Sequence, residues 1–203
     1  MDEARPLLEL TGATVRVGAD AAIDGVDFRM FPGEVHSLMG ENGAGKSTLI
    51  KAITGAVPLT EGVLRIAGEQ VHFGTPHDAQ QAGISTVYQE IDLLPNVSVA
   101  ENIALGREPR RFGVIDWRRM RADAHAVLAD LGIDIDPASI LGTHSLAVQQ
   151  LVAIARAISV DLKVLVLDEP TSSLDLDEVA ELFRVVRDLK QRGVAILFVS
   201  HSS

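Results

Sequence analysis

Short apolar runs alternate with helically spaced apolar residues along most of this 203-residue chain. Strict alternation of apolar and polar residues, or four or more apolar residues in a row, predicts β-strands. Such runs lie at Leu7–Val17, Ile23–Met30, Glu34–Met39, Ile84–Tyr88, Lys163–Leu167 and Val194–Ser200. The turn residues Ala67-Gly68-Glu69 also predict a hairpin that joins Gly62–Ile66 to Gln70–Phe73.

Apolar residues three and four positions apart predict helices between these strands. The predicted helices are Ser47–Thr54, Ser98–Leu105, the segment from an N-cap at Asp116 to Leu131, Leu146–Ser159 and Asp177–Arg192. Trp117 is expected to pack with the apolar stripe of its helix, which Gly132 ends. Strands that alternate with helices predict an α/β fold with a mostly parallel sheet, a flanking antiparallel β part and an inserted helical part.

The charge and composition of the chain narrow its function classes. A nucleic-acid surface needs clustered Lys and Arg, so a net charge of −10 argues against a nucleic-acid partner. The local exception is Arg107–Arg121, which we interpret as a solvated helix face. No apolar run approaches the roughly 18 residues that span a bilayer, so membrane association is expected through a partner. There are no cysteines, which excludes disulfides and thiolate metal sites.

The clearest chemical signal is a glycine-rich stretch between a predicted strand and a predicted helix. Its residues are Gly40, Glu41, Asn42, Gly43, Ala44, Gly45, Lys46, Ser47 and Thr48, which fit the pattern G-x-x-x-x-G-K-[ST]. The glycines allow consecutive backbone N–H groups to point at phosphate oxygens. Lys46 offers a positive charge to the β- and γ-phosphates, and the Ser47 hydroxyl can ligate Mg²⁺. The stretch therefore predicts a phosphate-binding loop, or P-loop, for a nucleotide.

Two carboxylates follow the apolar run Val164–Leu167 directly. In doubly wound sheets, ligands bind beyond the carboxyl ends of the strands, which is where Asp168 and Glu169 would lie. Asp168 suits Mg²⁺ binding, directly or through water, and Glu169 suits orienting or deprotonating an attacking water.

With these motifs in place, the chain resembles the ATP-binding subunits of ABC transporters over essentially its whole length. Gln89 resembles the family's glutamine that contacts Mg²⁺ and senses the membrane partner. The segment Ser173-Leu174-Asp175 resembles the loop that crosses to the second ATPase domain, and Asp175 is its last residue. His201 resembles the histidine that contacts the γ-phosphate. Gln149–Ala157 resembles the helix after the family signature.

Three further segments resemble the sugar-import ATPases of the ribose, galactose and xylose type. They are Gly40–Lys51, Ser98–Ile103 and Asp168–Asp175. The resemblance implies an ATPase that uses ATP and Mg²⁺ at the cytoplasmic face of the membrane. Its implied partners are transmembrane permease subunits, a second nucleotide-binding domain and, indirectly, an extracytoplasmic sugar-binding protein.

The same resemblance implies one nucleotide-binding domain with a P-loop NTPase core. We expect the core with its antiparallel β part at about residues 1–95 and 160–203, and the helical insert at about 96–159. Family members continue beyond the position of His201, so the domain is expected to be cut short there.

The chain departs from the family pattern at two binding positions. The signature Leu-Ser-Gly-Gly-Gln aligns with His144-Ser145-Leu146-Ala147-Val148, which keeps Ser145 but has neither glycine. Val17 aligns with the aromatic residue that stacks on adenine. Val17 and Ser145 are nevertheless expected to contribute to the ATP site.

Two alternatives to sugar import stay open. A soluble ABC-type ATPase that acts on DNA or ribosomes would have a basic surface or a long coiled-coil insert, and the sequence has neither. A regulatory domain that seldom hydrolyses nucleotide would agree with the altered signature, whereas Glu169 and His201 argue for hydrolysis. A GTPase is disfavoured because no Asn/Thr-Lys-x-Asp motif occurs.

Overall fold

The computed structural model describes residues 4–40, 45–87, 93–168 and 173–201. They divide into two compact units. The first unit comprises Met1–Thr86, Leu162–Glu169 and Leu189–Ser203, and the second comprises Val87–Asp161 and Pro170–Asp188. The α/β fold predicted from the sequence is confirmed.

The first unit contains an antiparallel sheet of four strands in the order β2-β1-β4-β5. The strands are β1 (Leu8–Val17), β2 (Asp20–Met30), β4 (Glu61–Ile66) and β5 (Glu69–Val71). The pairing register shifts around Gly12, which has a φ of +59°. A Cβ at Gly62 would lie 2.5 Å from the Gly12 carbonyl oxygen, so the two strands approach closely only because residue 62 has no side chain.

The second sheet of this unit has the order β3-β10-β9-β6. Its strands are β3 (Val35–Gly40), β6 (Ile84–Val87), β9 (Val164–Asp168) and β10 (Ala195–His201). β10 runs parallel to both β3 and β9. The four apolar residues of β9 are all 0% exposed, as expected for a strand that is covered on both faces. β3 ends the described sheet on one side, and Met39 there is 80% exposed.

One hydrophobic core joins these two sheets with helix α1 (Lys46–Ile53). Leu8 and Met30 come from the antiparallel sheet, Ile53 from α1, and Val164 and Leu197 from the parallel sheet. Burying a large aliphatic side chain contributes about 1.5–3 kcal/mol, so this shared core fixes α1 against both sheets. The residue before α1 is therefore also held in place.

The second unit is mainly helical. Its helices α3 (Val99–Ala104), α4 (Trp117–Asp130) and α5 (Leu146–Ile158) contact one another, and a 3₁₀ turn lies at Leu141–Thr143. Side-chain caps begin each of these α-helices. The Ser98 hydroxyl accepts the Glu101 N–H at 3.1 Å, and the Asp116 carboxylate accepts the Arg119 N–H at 3.0 Å. The last helix, α6 (Leu176–Gln191), begins in this unit and ends in the first.

Some local features differ from the sequence prediction. The sequence predicts that Trp117 packs in the core, but Trp117 is 46% exposed. The buried residues of α4 are Met120, Ala124 and Leu128. The sequence reading also has no counterpart for helix α2 (Pro76–Gln81) or for a small hairpin of β7 (Arg110–Arg111) and β8 (Val114–Ile115). None of the helices in the described part of the chain combines the length and apolar character needed to cross a bilayer.

Candidate nucleotide-binding site

The parallel sheet brings together the ends of three strands that carry predicted site residues. Gly40 at the end of β3 is paired with His201 at the end of β10. Asp168 at the end of β9 is paired with Val199, two residues before His201 on the same strand. Because parallel strands end at the same edge, Gly40, Asp168 and the backbone of His201 lie together at the carboxyl edge of the sheet.

Gly45 fixes the point where the P-loop joins α1. Its φ is +82°, and it occupies the N-cap position without a side-chain cap. A Cβ there would lie 2.9 Å from Ile23 Cγ2 and 3.0 Å from the Ala22 carbonyl oxygen. A side chain at this position would therefore meet both an unfavourable backbone conformation and the β2 strand. The first turn of α1 contains no acidic residue, so its positive N-terminal end is not neutralised by a carboxylate of that turn.

Lys46, the first residue of α1, connects the P-loop to the same edge of the sheet. Its side chain is only 8% exposed, and its ammonium group donates a hydrogen bond to the Ser200 carbonyl oxygen. Ser200 immediately precedes His201, so the charged end of Lys46 lies beside the carboxyl end of β10. An amine that is held at this position can offer its positive charge to a phosphate at the edge of the sheet.

Ser47 and Asp168 are the predicted cation ligands that the described part of this unit contains. Ser47 is exposed in the first turn of α1, and Asp168 is half-buried at the end of β9. Mg²⁺ prefers one or two protein oxygen ligands together with substrate phosphates over a cage made entirely of protein. Within residues 4–40, 45–87, 93–168 and 173–201, no group of three or more His, Cys, Asp or Glu side chains could hold a metal ion by itself. A hydroxyl and a carboxylate without such a cage fit a magnesium ion that arrives with a nucleotide.

Val17 lies at the end of β1, in the antiparallel sheet. It is 70% exposed and is paired with Asp20 across the turn Gly18-Ala19. The residues of that turn are small, so Val17 is the larger apolar side chain at this end of the hairpin.

Ser145 and Asp175 belong to the second unit, where both act as helix caps. The Ser145 hydroxyl accepts the Val148 N–H at 3.3 Å at the start of α5. Asp175 accepts the Glu178 N–H at 2.8 Å, and its own N–H donates to the Glu178 carboxylate at 3.0 Å. Both side chains therefore have local structural roles in addition to the binding roles that the sequence predicts for them.

The remaining predicted positions lie outside what the structure describes. They are Glu41, Asn42, Gly43, Ala44, Gln89 and Glu169, together with the side chain of His201. The sequence prediction did not include two contributors to the site. One is the Ala22–Ile23 segment, which lies against the Cα of Gly45, and the other is the Ser200 carbonyl, which accepts a hydrogen bond from Lys46. A backbone carbonyl does not depend on residue type, so its hydrogen bond with Lys46 is visible only in the folded structure.

Comparison with known proteins agrees with this geometry. The family model described as ABC transporter matches residues 23–172. Two solved structures have the same fold over nearly the whole chain. The ATP-binding cassette MJ1267 of an ABC transporter, in its ADP conformation, has a TM-score of 0.81 at 26% identity and is matched over 98% of this chain and 82% of that one. A nucleotide-free cassette from an ABC transporter has a TM-score of 0.81 at 25% identity, over 97% of this chain and 82% of that one.

Curated relatives are more similar in sequence. The fructose import ATP-binding protein FruK of Bifidobacterium longum is 50% identical over 99% of this chain and 39% of its own length. The ribose import ATP-binding protein RbsA 1 of Rubrobacter xylanophilus is 49% identical over 97% of this chain and 40% of its own length. The galactofuranose transporter ATP-binding protein YtfR of Escherichia coli K12 is 46% identical over 98% of this chain and 40% of its own length. The chain thus spans about two fifths of the length of these relatives, and by the match of the family model it belongs to the ABC transporter family.

Proposed function

We propose that this chain is a nucleotide-binding domain that binds and hydrolyses ATP to drive the import of a sugar through membrane permease subunits. The observation that carries the proposal is the common edge of the parallel sheet, where Gly40, Asp168 and the end of β10 lie together with the Lys46 ammonium. The curated relatives, which are named for the import of fructose, ribose and galactofuranose, support a sugar as the substrate class.

In this proposal Gly40–Thr48 cradles the phosphates of ATP with backbone N–H groups and the N-terminal end of α1. Lys46 gives up its hydrogen bond to Ser200 and binds the β- and γ-phosphates instead. Val17 provides an apolar surface for the adenine ring, and its 70% exposure leaves it available for that contact.

Catalysis in this proposal depends on the residues at the ends of β9 and β10. Ser47, Asp168 and Gln89 would hold Mg²⁺, which would neutralise charge on the phosphates when bound. Glu169 orients and deprotonates the attacking water, and His201 contacts the γ-phosphate. The support for these roles is the sequence motifs and the resemblance to the family.

Contact with a second nucleotide-binding domain would complete the ATP site. We propose one domain, with a core at about 1–95 and 160–203 and a helical insert at about 96–159, that closes against a second nucleotide-binding domain. Ser145 and Asp175 would face the ATP bound by the other domain. The permease subunits would place the domain at the cytoplasmic face of the membrane and receive sugar from an extracytoplasmic binding protein.

A regulatory domain of low turnover is the second candidate, favoured by one observation. Leu146 and Ala147 stand in the first turn of α5, where the family pattern has glycines, and Ser145 is engaged as the cap of that helix. Side chains at these positions hinder the close approach of a phosphate to the backbone.

The substitution Glu169→Gln in the whole transporter tests hydrolysis at this residue, and the turnover of the unsubstituted transporter distinguishes the two candidates. Loss of a group that positions and deprotonates water reduces the rate at least about a hundredfold. We therefore expect ATP turnover and uptake of labelled ribose, fructose or galactose to be lost while ATP binding is retained. Glu61→Gln, at an exposed position on β4, is the matched control. Near-normal uptake in Glu169→Gln would refute hydrolysis at this residue, and negligible turnover in the unsubstituted transporter would favour the regulatory role.

A further inference from the structure

The hairpin formed by β7 and β8 presents apolar side chains to solvent. Arg110 pairs with Ile115, and Arg111 pairs with Val114, so Phe112 and Gly113 form the tip. Phe112 is 93% exposed and Val114 is 68% exposed. Trp117, in the first turn of the following helix, is 46% exposed. These side chains therefore add little to the core of their own unit.

The backbone at Phe112 is also unfavourable for the residue it carries. Its φ is +53°, a left-handed conformation that Gly and Asn accept readily and that is unfavourable for a bulky side chain. The Arg111 guanidinium lies 5.4 Å from the centre of the Phe112 ring, and Arg110 donates to the Gly113 carbonyl at 3.2 Å. Local contacts thus hold an exposed aromatic ring in a strained position, which suggests that the ring serves a contact outside the chain.

The surroundings of the hairpin are basic, although the whole chain carries a net charge of −10. Residues 107–121 contain six arginines and two carboxylates. Both carboxylates accept backbone hydrogen bonds, Asp116 from Arg119 and Glu108 from Gly106. Arg110, Arg111, Arg118 and Arg121 are all exposed. The hairpin therefore combines apolar side chains with an excess of positive charge.

We propose that this surface, comprising Arg110–Val114, Trp117, Arg118 and Arg121, contacts the anionic headgroups of the membrane beside the permease. Aromatic rings together with arginines are suited to the interface of a bilayer, where the rings enter the headgroup layer and each basic residue adds attraction to anionic lipid. A specific protein interface buries about 800 Å² on each partner, more than a two-residue turn with short flanks can supply by itself. A soft lipid surface needs no such complementary area. The inference rests on the proposed function only in that import brings this domain to the bilayer.

Sedimentation with vesicles tests the proposal on the 203-residue chain. We expect the chain to bind vesicles of phosphatidylcholine with phosphatidylglycerol, and to bind phosphatidylcholine alone much more weakly. Raising the salt concentration should release it, because exposed charges are screened. Replacing both Arg110 and Arg111 by Gln should lower the partition coefficient about thirtyfold, at about 1 kcal/mol for each basic residue near the surface.

Phe112→Asn is the more specific variant. Asn accepts a positive φ more readily than Phe, so this substitution should not unfold the chain, and a loss of binding would report the loss of the ring. We expect at least about a tenfold loss of vesicle binding with an unchanged or higher unfolding temperature. Arg187→Gln with Lys190→Gln, two exposed positions on α6, makes the same change in net charge away from the hairpin and should bind like the parent. ATP binding is measured on every variant and should not change, which separates this proposal from the proposed function.

Three outcomes would overturn the proposal. The first is the absence of vesicle binding, and the second is equal binding by the Phe112→Asn variant and the parent. The third is salt-sensitive binding to polyglutamate without binding to vesicles, which would assign the surface to an acidic polypeptide such as a loop of the permease.

Discussion

Asn102 holds Leu94 through both of its backbone polar groups. The side-chain oxygen of Asn102 accepts the Leu94 N–H at 2.7 Å, and its amide nitrogen donates to the Leu94 carbonyl at 2.8 Å. The same amide also donates to the Ser98 carbonyl at 3.0 Å. Asn102 is 0% exposed, so these bonds fix the segment before α3 from inside the second unit.

We expect Asn102→Ala to lower the free energy of unfolding by about 3 kcal/mol. The substitution removes three side-chain hydrogen bonds, each of which contributes about 0.5–1.5 kcal/mol, and leaves a cavity where the fully buried Asn102 side chain was packed. Urea denaturation measures the change. Asn96→Ala, at an exposed position in the same segment, should stay within about 0.5 kcal/mol. Equal stability of the two variants would show that the Asn102 hydrogen bonds do not stabilise the segment.

Gly45→Ala should weaken ATP binding at least tenfold, which corresponds to about 1.4 kcal/mol. The new Cβ would lie 3.0 Å from the Ala22 carbonyl oxygen, a backbone atom that cannot rotate away, and φ is already +82°. The junction between the P-loop and α1 would have to move. Calorimetric titration with Mg-ATP measures the effect.

Gly193→Ala is the matched control for Gly45→Ala. Gly193 has a φ of +90°, and no heavy atom lies within 4 Å of the position of its Cβ. The Gly193→Ala variant has the same kind of backbone strain, worth about 1–2 kcal/mol of stability, without the steric contact. The ATP affinity of this variant should match that of the parent. A similar loss of affinity in both variants would mean that general destabilisation, and not the position of the loop, is responsible.

The sequence predicts the elements of this site better than their arrangement. The strand before Gly40, the helix after Gly45 and the buried strand before Asp168 all follow from apolar patterns, and the structure contains each of them. Nothing in periodicity says that β10 lies between β3 and β9, because that order depends on long-range strand pairing. The resulting pairing of His201 with Gly40 is therefore visible only in the fold.

Short elements escape the sequence reading for a different reason. β7 and β8 have two residues each, too few to show alternation. Helix α2 is also short, but it has a signal that could have found it. Thr75 accepts the Asp78 N–H and Asp78 accepts the Thr75 N–H, with Pro76 at the first helical position. The local pattern Thr-Pro-x-Asp predicts that start even where the apolar stripe is absent.

The ion pair of Glu181 with Arg184 should give the stability of the domain a dependence on pH. Two hydrogen bonds join their side chains, at 2.6 and 3.0 Å, and the bonds from Arg184 lower the pKa of Glu181 from 4.5. A carboxylate whose pKa is lowered in the folded state stabilises that state above its unfolded pKa. This contribution is lost as the pH falls through the lowered folded value.

We therefore expect Glu181→Gln to lower the free energy of unfolding at pH 7 by at most about 1 kcal/mol, because both side chains are 44% exposed. The difference from the parent should shrink toward zero as the pH falls below 4.5 and through the folded pKa. Urea denaturation of both proteins across this range measures it. Glu61→Gln repeats the substitution at an exposed glutamate on β4. A difference for Glu181→Gln that does not vary with pH would contradict the role of its charge.

Val17→Tyr should tighten ATP binding about tenfold, or about 1.4 kcal/mol. The phosphate contacts of Gly40–Thr48 do not distinguish one nucleotide from another, so preference for adenine depends on contacts to the base. Val17 is 70% exposed, and the adjoining turn Gly18-Ala19 has no side chain large enough to cover a ring in its place. Stacking a base on an aromatic side chain contributes about 1–3 kcal/mol, which a valine cannot supply in full. The parent chain should accordingly prefer ATP only weakly over GTP.

Calorimetric titration of ATP and GTP against both proteins measures this directly. Val35→Tyr is the matched control, since Val35 is 42% exposed and begins β3, the strand that ends at Gly40. A tyrosine there adds the same aromatic ring at the edge of the parallel sheet opposite the phosphate-binding loop, so ATP affinity should not change. An affinity for ATP within a factor of two of the parent in Val17→Tyr would exclude Val17 as the surface that receives adenine.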